Sequence, residues 1–292
     1  MRIGRLCVIG VGLIGGSFAL KLKQLGLVDE VVGYGHRVEN LEKAVALGVI
    51  DRYETDVTLA VKGADLVMLA VPLGVIGSLF AEIEPHLDAK TIVTDAGSAK
   101  DSVIKDIIEK VGGCPPNFVP GHPIAGREKS GVEAVDADLY QNHRVILTPT
   151  ETTNESAVEL VQTLWSEVGA NVSLMAASFH DEVFAATSHL PHMLAFALVD
   201  MLNEHAELGN VFQYTAGGFR DFTRIASSDA TMWRDIALHN SVALVKWLNA
   251  YQAELQTLTQ LIESQDGPAL FALFDQAKTA RDQHILHRNA DL

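Results

Sequence analysis

Residues 5–26, RLCVIGVGLIGGSFALKLKQLG, decide the fold. The run RLCVIG is apolar enough for a buried strand, and LIGGSFALKLKQLG carries its apolar residues at helical spacing. Between them Gly10, Gly12 and Gly15 stand in GxGxxG spacing. Alone that pattern is weak. Directly after a strand and at the opening of a helix it has a mechanical reading. It provides a tight turn, close approach of backbone to a pyrophosphate, and a helix N-terminus at Leu13 and Ile14 whose N–H groups face the anion. A dinucleotide is expected there.

The second strand should end about twenty residues beyond the fingerprint, where a carboxylate would accept from the ribose hydroxyls of NAD. Gly35 holds that place, followed by His36 and Arg37. Without the carboxylate nothing repels a 2′-phosphate, and Arg37 can pair with one. NADP is therefore expected to be preferred, with NAD still accommodated. The bland alternative is that Arg37 only begins a solvated helix.

Outward from this unit, short apolar runs alternate with helical patterns: VVGY, DLVMLAV, TIVTDA, NFVPG, RVILTP and NVSLM. This rhythm predicts a Rossmann-type, doubly wound parallel sheet over residues 1–176. From about residue 177 the strand signals stop, and an all-α domain is expected over 177–292. There Pro191 should kink the first helix, and Ser228 or Asp229 should cap a long helix running to about residue 264. Trp233, Ile236, Leu244, Trp247, Leu248, Tyr251, Leu255, Leu258 and Ile262 recur along it at helical period. A domain this small cannot easily cover so long a stripe, so a homodimer built on the helical half is expected. A final amphipathic helix should follow an Asp266 cap.

The chain of 292 residues has a net charge of −15, which argues against nucleic acid and anionic membranes as partners. An anionic substrate would need a local positive pocket. Cys7 and Cys114 offer neither a disulfide framework nor zinc spacing. The N-terminus lacks a signal-peptide pattern, and no apolar run reaches spanning length. A soluble, cytoplasmic protein is expected.

One stretch does not fit a plain scaffold. FVPGHPIAGREKSG, residues 118–131, sets His122 between Gly121 and Pro123, on a segment that reads as neither helix nor ordinary strand. Taken alone, a buried histidine satisfied by backbone is the better explanation. His189 and His192 lie three apart on one helix face, but lack the HExxH spacing of a zinc pair, and no metal is expected.

Taken together, GLIGGS, TDAGSAK, GHPIAGREKSG, ILTPT, SHLPH and GGFRDFTRIA resemble the prephenate and arogenate dehydrogenase family of tyrosine biosynthesis over essentially the whole chain. The resemblance implies oxidative decarboxylation. A ring hydroxyl loses its proton, hydride passes to nicotinamide, and the ring carboxylate departs as CO2 while the ring becomes aromatic. It assigns His122 as the base, a task suited to an imidazole of ordinary pKa near 6.5. Ser98 orients the hydroxyl, Arg224 grips a substrate carboxylate, and His192 contacts the substrate side chain, with His189 beside it. Glu128 matches the acid of the GHPxAGxExSG pattern, in a gating or orienting role. Ser98 could also cap the helix SVIKDIIEKV, a role compatible with the first, while Arg224 could instead pair with Asp221 and Glu128 could form a surface ion pair.

The resemblance leaves prephenate against arogenate open, with a lean to prephenate because a donor-capable His192 suits a keto side chain. Inhibition by tyrosine in the active site is compatible with it. Arg127 departs from the small or hydroxyl residue expected there. Neither a fused chorismate mutase segment nor a C-terminal regulatory module is expected. Among rivals, a β-hydroxy acid dehydrogenase would use a lysine from the helical domain, yet Lys246 and Lys278 lie in plain amphipathic stretches. A nucleotide-sensing protein without chemistry would have no need of both His122 and Arg224.

Overall fold

A computed structural model of the chain describes residues 2–126, 131–205 and 209–286. The chain divides into two compact units, Met1–Ser241 and Val242–Leu292. In the first, β1 (Ile3–Ile9) leads into α1 (Leu13–Gln24), β2 (Val28–Tyr34), α2 (Val38–Ala46) and β3 (Arg52–Glu54). Then come α3 (Val57–Ala60), β4 (Leu66–Leu69), α4 (Leu73–Ile83), β5 (Ile92–Asp95), α5 (Asp101–Val111) and β6 (Phe118–Val119). These six strands pair in the order β3-β2-β1-β4-β5-β6, parallel throughout. The order reverses at β1 and β4, which opens a crevice at the strands' carboxyl ends. Leu6, Val8 and Met68 face one core and Cys7, Ile9 and Val67 the other, as a sheet covered on both sides requires.

The chain then departs from a single sheet. β7 (Gly121–Ile124) pairs antiparallel with β8 (Arg144–Leu147), and β8 pairs parallel with β9 (Asn171–Leu174) after α6 (Glu155–Glu167). The His122 segment is thus a strand after all. Pro123 is tolerated because β7 is an edge, where a missing N–H breaks no second ladder.

The helices begin with α7 (Ala177–Phe184), which passes through a π-helical turn (Ala185–His189) into α8 (Leu190–Glu204). The expected disturbance at Pro191 takes this form, with the proline in the first turn of α8, where its missing N–H costs least. Short α9 (Gly217–Thr223) precedes α10 (Ala230–His239), capped by Asp229, whose carboxylate accepts from the Met232 N–H. Trp233 and Ile236 of α10 join the apolar cluster of Leu73, Ile76 and Phe80 on α4. The long helix expected from residue 229 is two helices. Asn240 leaves helical geometry at φ −110°, ψ 32°, and α11 (Ser241–Glu263) starts anew.

The second unit holds most of α11 and then α12 (Gly267–Arg281), capped by Asp266 as expected. Val245, Leu255, Ile262, Phe271 and Phe274 on these helices are exposed. Among the described residues no helix is long and apolar enough to cross a membrane.

Candidate active site

The cofactor end follows the sequence closely. Gly10 turns the chain at φ +96°, and a Cβ there would sit 2.2 Å from the Ala70 carbonyl oxygen, so only glycine fits. At Gly12 a Cβ would meet nothing within 4 Å. That open face is where a pyrophosphate needs bare backbone. Gly12 is the N-cap of α1, no side chain satisfies the helix end, and no acidic residue stands in its first turn. The N–H groups of Leu13, Ile14 and Gly15 are left for an anion. These residues fit a dinucleotide. Gly35 follows the last residue of β2, as expected, and has room for a larger side chain, since a Cβ would touch only Leu41, at 3.7 Å. His36 and Arg37 are exposed, and Arg37 occupies the N-cap position of α2.

At the carboxyl end of β5, Asp95 organises two loops. Its carboxylate accepts from the N–H groups of Gly97 (2.8 Å) and Gly121 (3.0 Å) and pairs with the fully buried Lys100 ammonium. Lys100 Nζ also donates to the Gly121 carbonyl, 2.7 Å away. Burial pushes the Lys100 pKa down while Asp95 draws it back up. The pair fastens the segment carrying Ser98 to the strand carrying His122. Gly121 is required here, because a Cβ would lie 2.9 Å from the Asp95 carbonyl oxygen.

Ser98 is half-buried between these anchors. It is not the cap of the following helix, which starts at Asp101. The cap comes from α7, where Asp181 accepts from the N–H groups of Lys100 (2.8 Å) and Asp101 (3.0 Å).

His122 is buried, and its Nδ1 lies 2.8 Å from His180 Nε2. His180 Nδ1 in turn lies 2.8 Å from the Asp181 carboxylate. Phe184 closes over both rings, 5.0 Å from His122 and 4.5 Å from His180 between ring centroids. Burial, reinforced by His180, Lys100 and His189, holds the His122 pKa well below its ordinary value. In place of the ordinary pKa expected from the sequence, the ring stays neutral down through pH 6.5. Burial likewise lowers His180 against the pull of Asp181. For Asp181 burial works toward protonation, but the His180 ring and the two backbone N–H groups together keep it below the usual carboxylate range.

His189 and His192 are brought together around Trp233. His192 stacks on the indole with centroids 3.6 Å apart, and His189 meets it edge-on at 6.1 Å. Asn240, at the helix break, donates to the Asp181 carbonyl (2.8 Å) and lies 3.1 Å from His189 Nδ1. Burial drives His189 down to about 4. His192 Nδ1 lies 2.9 Å from the Ser188 carbonyl. A carbonyl can only accept, so Nδ1 carries the proton, and Nε2 of the neutral ring is an acceptor. The donor-capable His192 expected from the sequence is corrected on this point. Burial lowers the His192 pKa, and the nearby Arg224 cation adds to that. Arg224 is exposed and opens the turn after α9. Arg127 and Glu128 lie outside the described residues.

His180, Asp181, Lys100 and Asn240 were not singled out from the sequence. A signal for two of them existed: His180 and Asp181 share the helical stripe of Phe184 and Ala185, so polar groups fall where apolar ones belong.

A nucleotide crevice, a buried neutral histidine and a cationic side chain beside a second histidine pair define a dehydrogenase of the dinucleotide-binding class. Residues 18–174 match the family described as prephenate dehydrogenase, nucleotide-binding domain, and residues 176–276 match prephenate dehydrogenase, dimerization domain. The chain belongs to the prephenate dehydrogenase family. It is 39% identical over 281 residues to the cyclohexadienyl dehydrogenase of Zymomonas mobilis, covering 94% of each chain. Identity to the prephenate dehydrogenase of Bacillus subtilis is 36%, over 95% of this chain and 75% of the relative. The crystal structure of prephenate dehydrogenase from Aquifex aeolicus in complex with hydroxyphenyl propionate and NAD+ superposes with a TM-score of 0.90 at 38% identity, covering 97% and 99% of the two chains. The resemblance read from the motifs, and the sheet-then-helices architecture, are borne out.

Proposed function

We propose that the chain oxidatively decarboxylates prephenate to 4-hydroxyphenylpyruvate. The observation that carries this reading is His122, buried, neutral and fixed at the carboxyl edge of a nucleotide-binding sheet. A bound nicotinamide dinucleotide supplies the hydride acceptor, held by the Gly10–Gly15 turn and the first turn of α1. His122 accepts the ring-hydroxyl proton at the nitrogen that His180 does not occupy. Ser98 orients that hydroxyl from the β5 loop. Arg224 binds a substrate carboxylate through its guanidinium fork, and Glu128 orients or gates the entrance. Aromatisation of the ring drives loss of CO2, so His122 is asked for proton removal and geometry only.

Residues 1–176 serve the cofactor, and 177–292 serve the substrate and a homodimer contact. The dimer is supported by the exposed apolar residues of α11 and α12 and by the description of the matched C-terminal family. Gly35 and Arg37 support a preference for NADP over NAD. A second reading, use of both prephenate and arogenate, is favoured by His192, whose acceptor Nε2 suits an ammonium donor better than a keto oxygen.

The test is the absorbance of reduced nicotinamide, crossing prephenate and arogenate with NAD and NADP. Turnover with prephenate is expected, faster at low nucleotide with NADP. Absence of turnover of prephenate with both nucleotides overturns the proposal.

A further inference from the structure

Resting on the proposed function, we propose that His180, anchored by Asp181, is a positioning residue that sets the tautomer of His122 and takes over its proton during turnover. The chain of contacts is continuous: His122 Nδ1 to His180 Nε2, then His180 Nδ1 to the Asp181 carboxylate, each at 2.8 Å. Its direction follows from the far end. Asp181 accepts two backbone N–H groups besides the ring, which only an ionised carboxylate does well, so His180 Nδ1 must carry a proton. His180 is fully buried and neutral, so its Nε2 is bare and accepts. His122 must then donate from Nδ1, which leaves Nε2 as its only lone pair. A histidine without this neighbour would divide its proton between both nitrogens and be a base in only one form.

The same contacts give the abstracted proton a destination. The substrate O–H bond breaks as an N–H bond forms at His122 Nε2. In the same step the His122 Nδ1–H bond breaks as an N–H bond forms at His180 Nε2. No electrons leave the pair of rings, and the positive charge moves from His122 to the ring that touches Asp181. This relocation is useful because Lys100 and His189 both disfavour charge on His122. The groups facing His180 are His122 from β7, Asp95 at the end of β5, Lys100 from the connection to α5, His189 from the π-helical turn, and its own neighbour Asp181. The two carboxylates favour a cation there, and Lys100 opposes it. Reprotonation of product or solvent through His122 resets the chain.

His180→Gln separates positioning from simple packing, since its amide oxygen can accept from His122 Nδ1 but cannot bind the proton. Turnover is expected to fall on the order of 10- to 100-fold with KM for substrate and nucleotide nearly unchanged. In single turnovers the wild-type rate should curve with deuterium fraction, as two moving protons require, and the variant's should be linear. An unchanged rate with unchanged curvature overturns the relay. A second measurement needs neither variant nor substrate. The ¹⁵N ring spectrum of the wild-type protein with nucleotide should show His122 protonated at Nδ1 and bare at Nε2. The opposite tautomer overturns the proposal even if the variant does not fold. Failure of the wild-type protein to oxidise either cyclohexadienyl substrate would count against the proposed function, while the spectrum still judges the tautomer.

Discussion

His122 shows how burial changes a residue's job. A histidine with an ordinary pKa would be half protonated near pH 6.5 and so a part-time base. Here burial, His180, Lys100 and His189 act together to lower it well below that value. The acidic limb of kcat/KM, which reports the free enzyme, is therefore expected below pH 6.5, and activity should hold as pH falls through that value. A pH–rate profile with its acidic midpoint at or above 6.5 would contradict this. The sequence singled out His122 through the GHP segment and the family resemblance, but its electrostatics were not legible, since the groups that set them come from the β5–α5 connection, α7 and the π-helical turn. Gly35 is the converse case for position, since strand length fixes where β2 ends and Gly35 follows its last residue. Gly35→Asp, where a Cβ would touch only Leu41, should lower kcat/KM for NADP relative to NAD by placing a carboxylate against a 2′-phosphate. Steady-state ratios of kcat/KM for NADP and NAD decide it, and an unchanged ratio would move the ribose pocket elsewhere.

At the scale of elements, the interruptions in the helices bear on the site more than the helices do. Periodicity reads residues 229–264 as one helix because Asn240 is an ordinary helix residue by composition. It breaks the helix because its amide is committed to the Asp181 carbonyl and the His189 ring, both distant in sequence. Asn240→Leu should leave His189 Nδ1 without its partner in a buried place and take one of two donors from the Asp181 carbonyl, which keeps the Ala185 N–H, at a cost of about 1 to 3 kcal/mol. A lower denaturant midpoint should appear together with reduced turnover, and a variant as stable and active as the parent would show the break to be incidental. Short strands escaped for a different reason. β3 is three residues, RYE, with no apolar alternation, and β7 contains a proline that argues against a strand until its edge position is known.

Across the whole molecule, four histidines, His122, His180, His189 and His192, all have lowered pKa values. In the unfolded chain they return to about 6.5. Below that pH the unfolded state binds more protons than the native one, so stability is full above about 6.5 and is lost as pH falls toward the native values, about 4 for His189. Urea midpoints at pH 7.5 and pH 5 should differ in that direction, and a midpoint that is flat or rises on acidification contradicts the assignment. The apolar residues exposed on α11 and α12 lead to the expectation of a species of twice 31.5 kDa in sedimentation at micromolar concentration, and a single 31.5 kDa species would rule out the homodimer. The doubly wound sheet was legible because alternation of strand and helix is a local signal. The second sheet was not, because the antiparallel pairing of β7 with β8 depends on contacts the sequence does not advertise.

The most direct test of the account is single-turnover nicotinamide reduction by His122→Asn with prephenate and saturating nucleotide. Asparagine keeps a polar side chain but cannot take the proton. The rate should fall on the order of 10² to 10⁴ fold, with nucleotide affinity unchanged and the acidic limb gone from the pH profile. A rate close to wild type that keeps the same acidic limb would contradict the account and return His122 to a structural role.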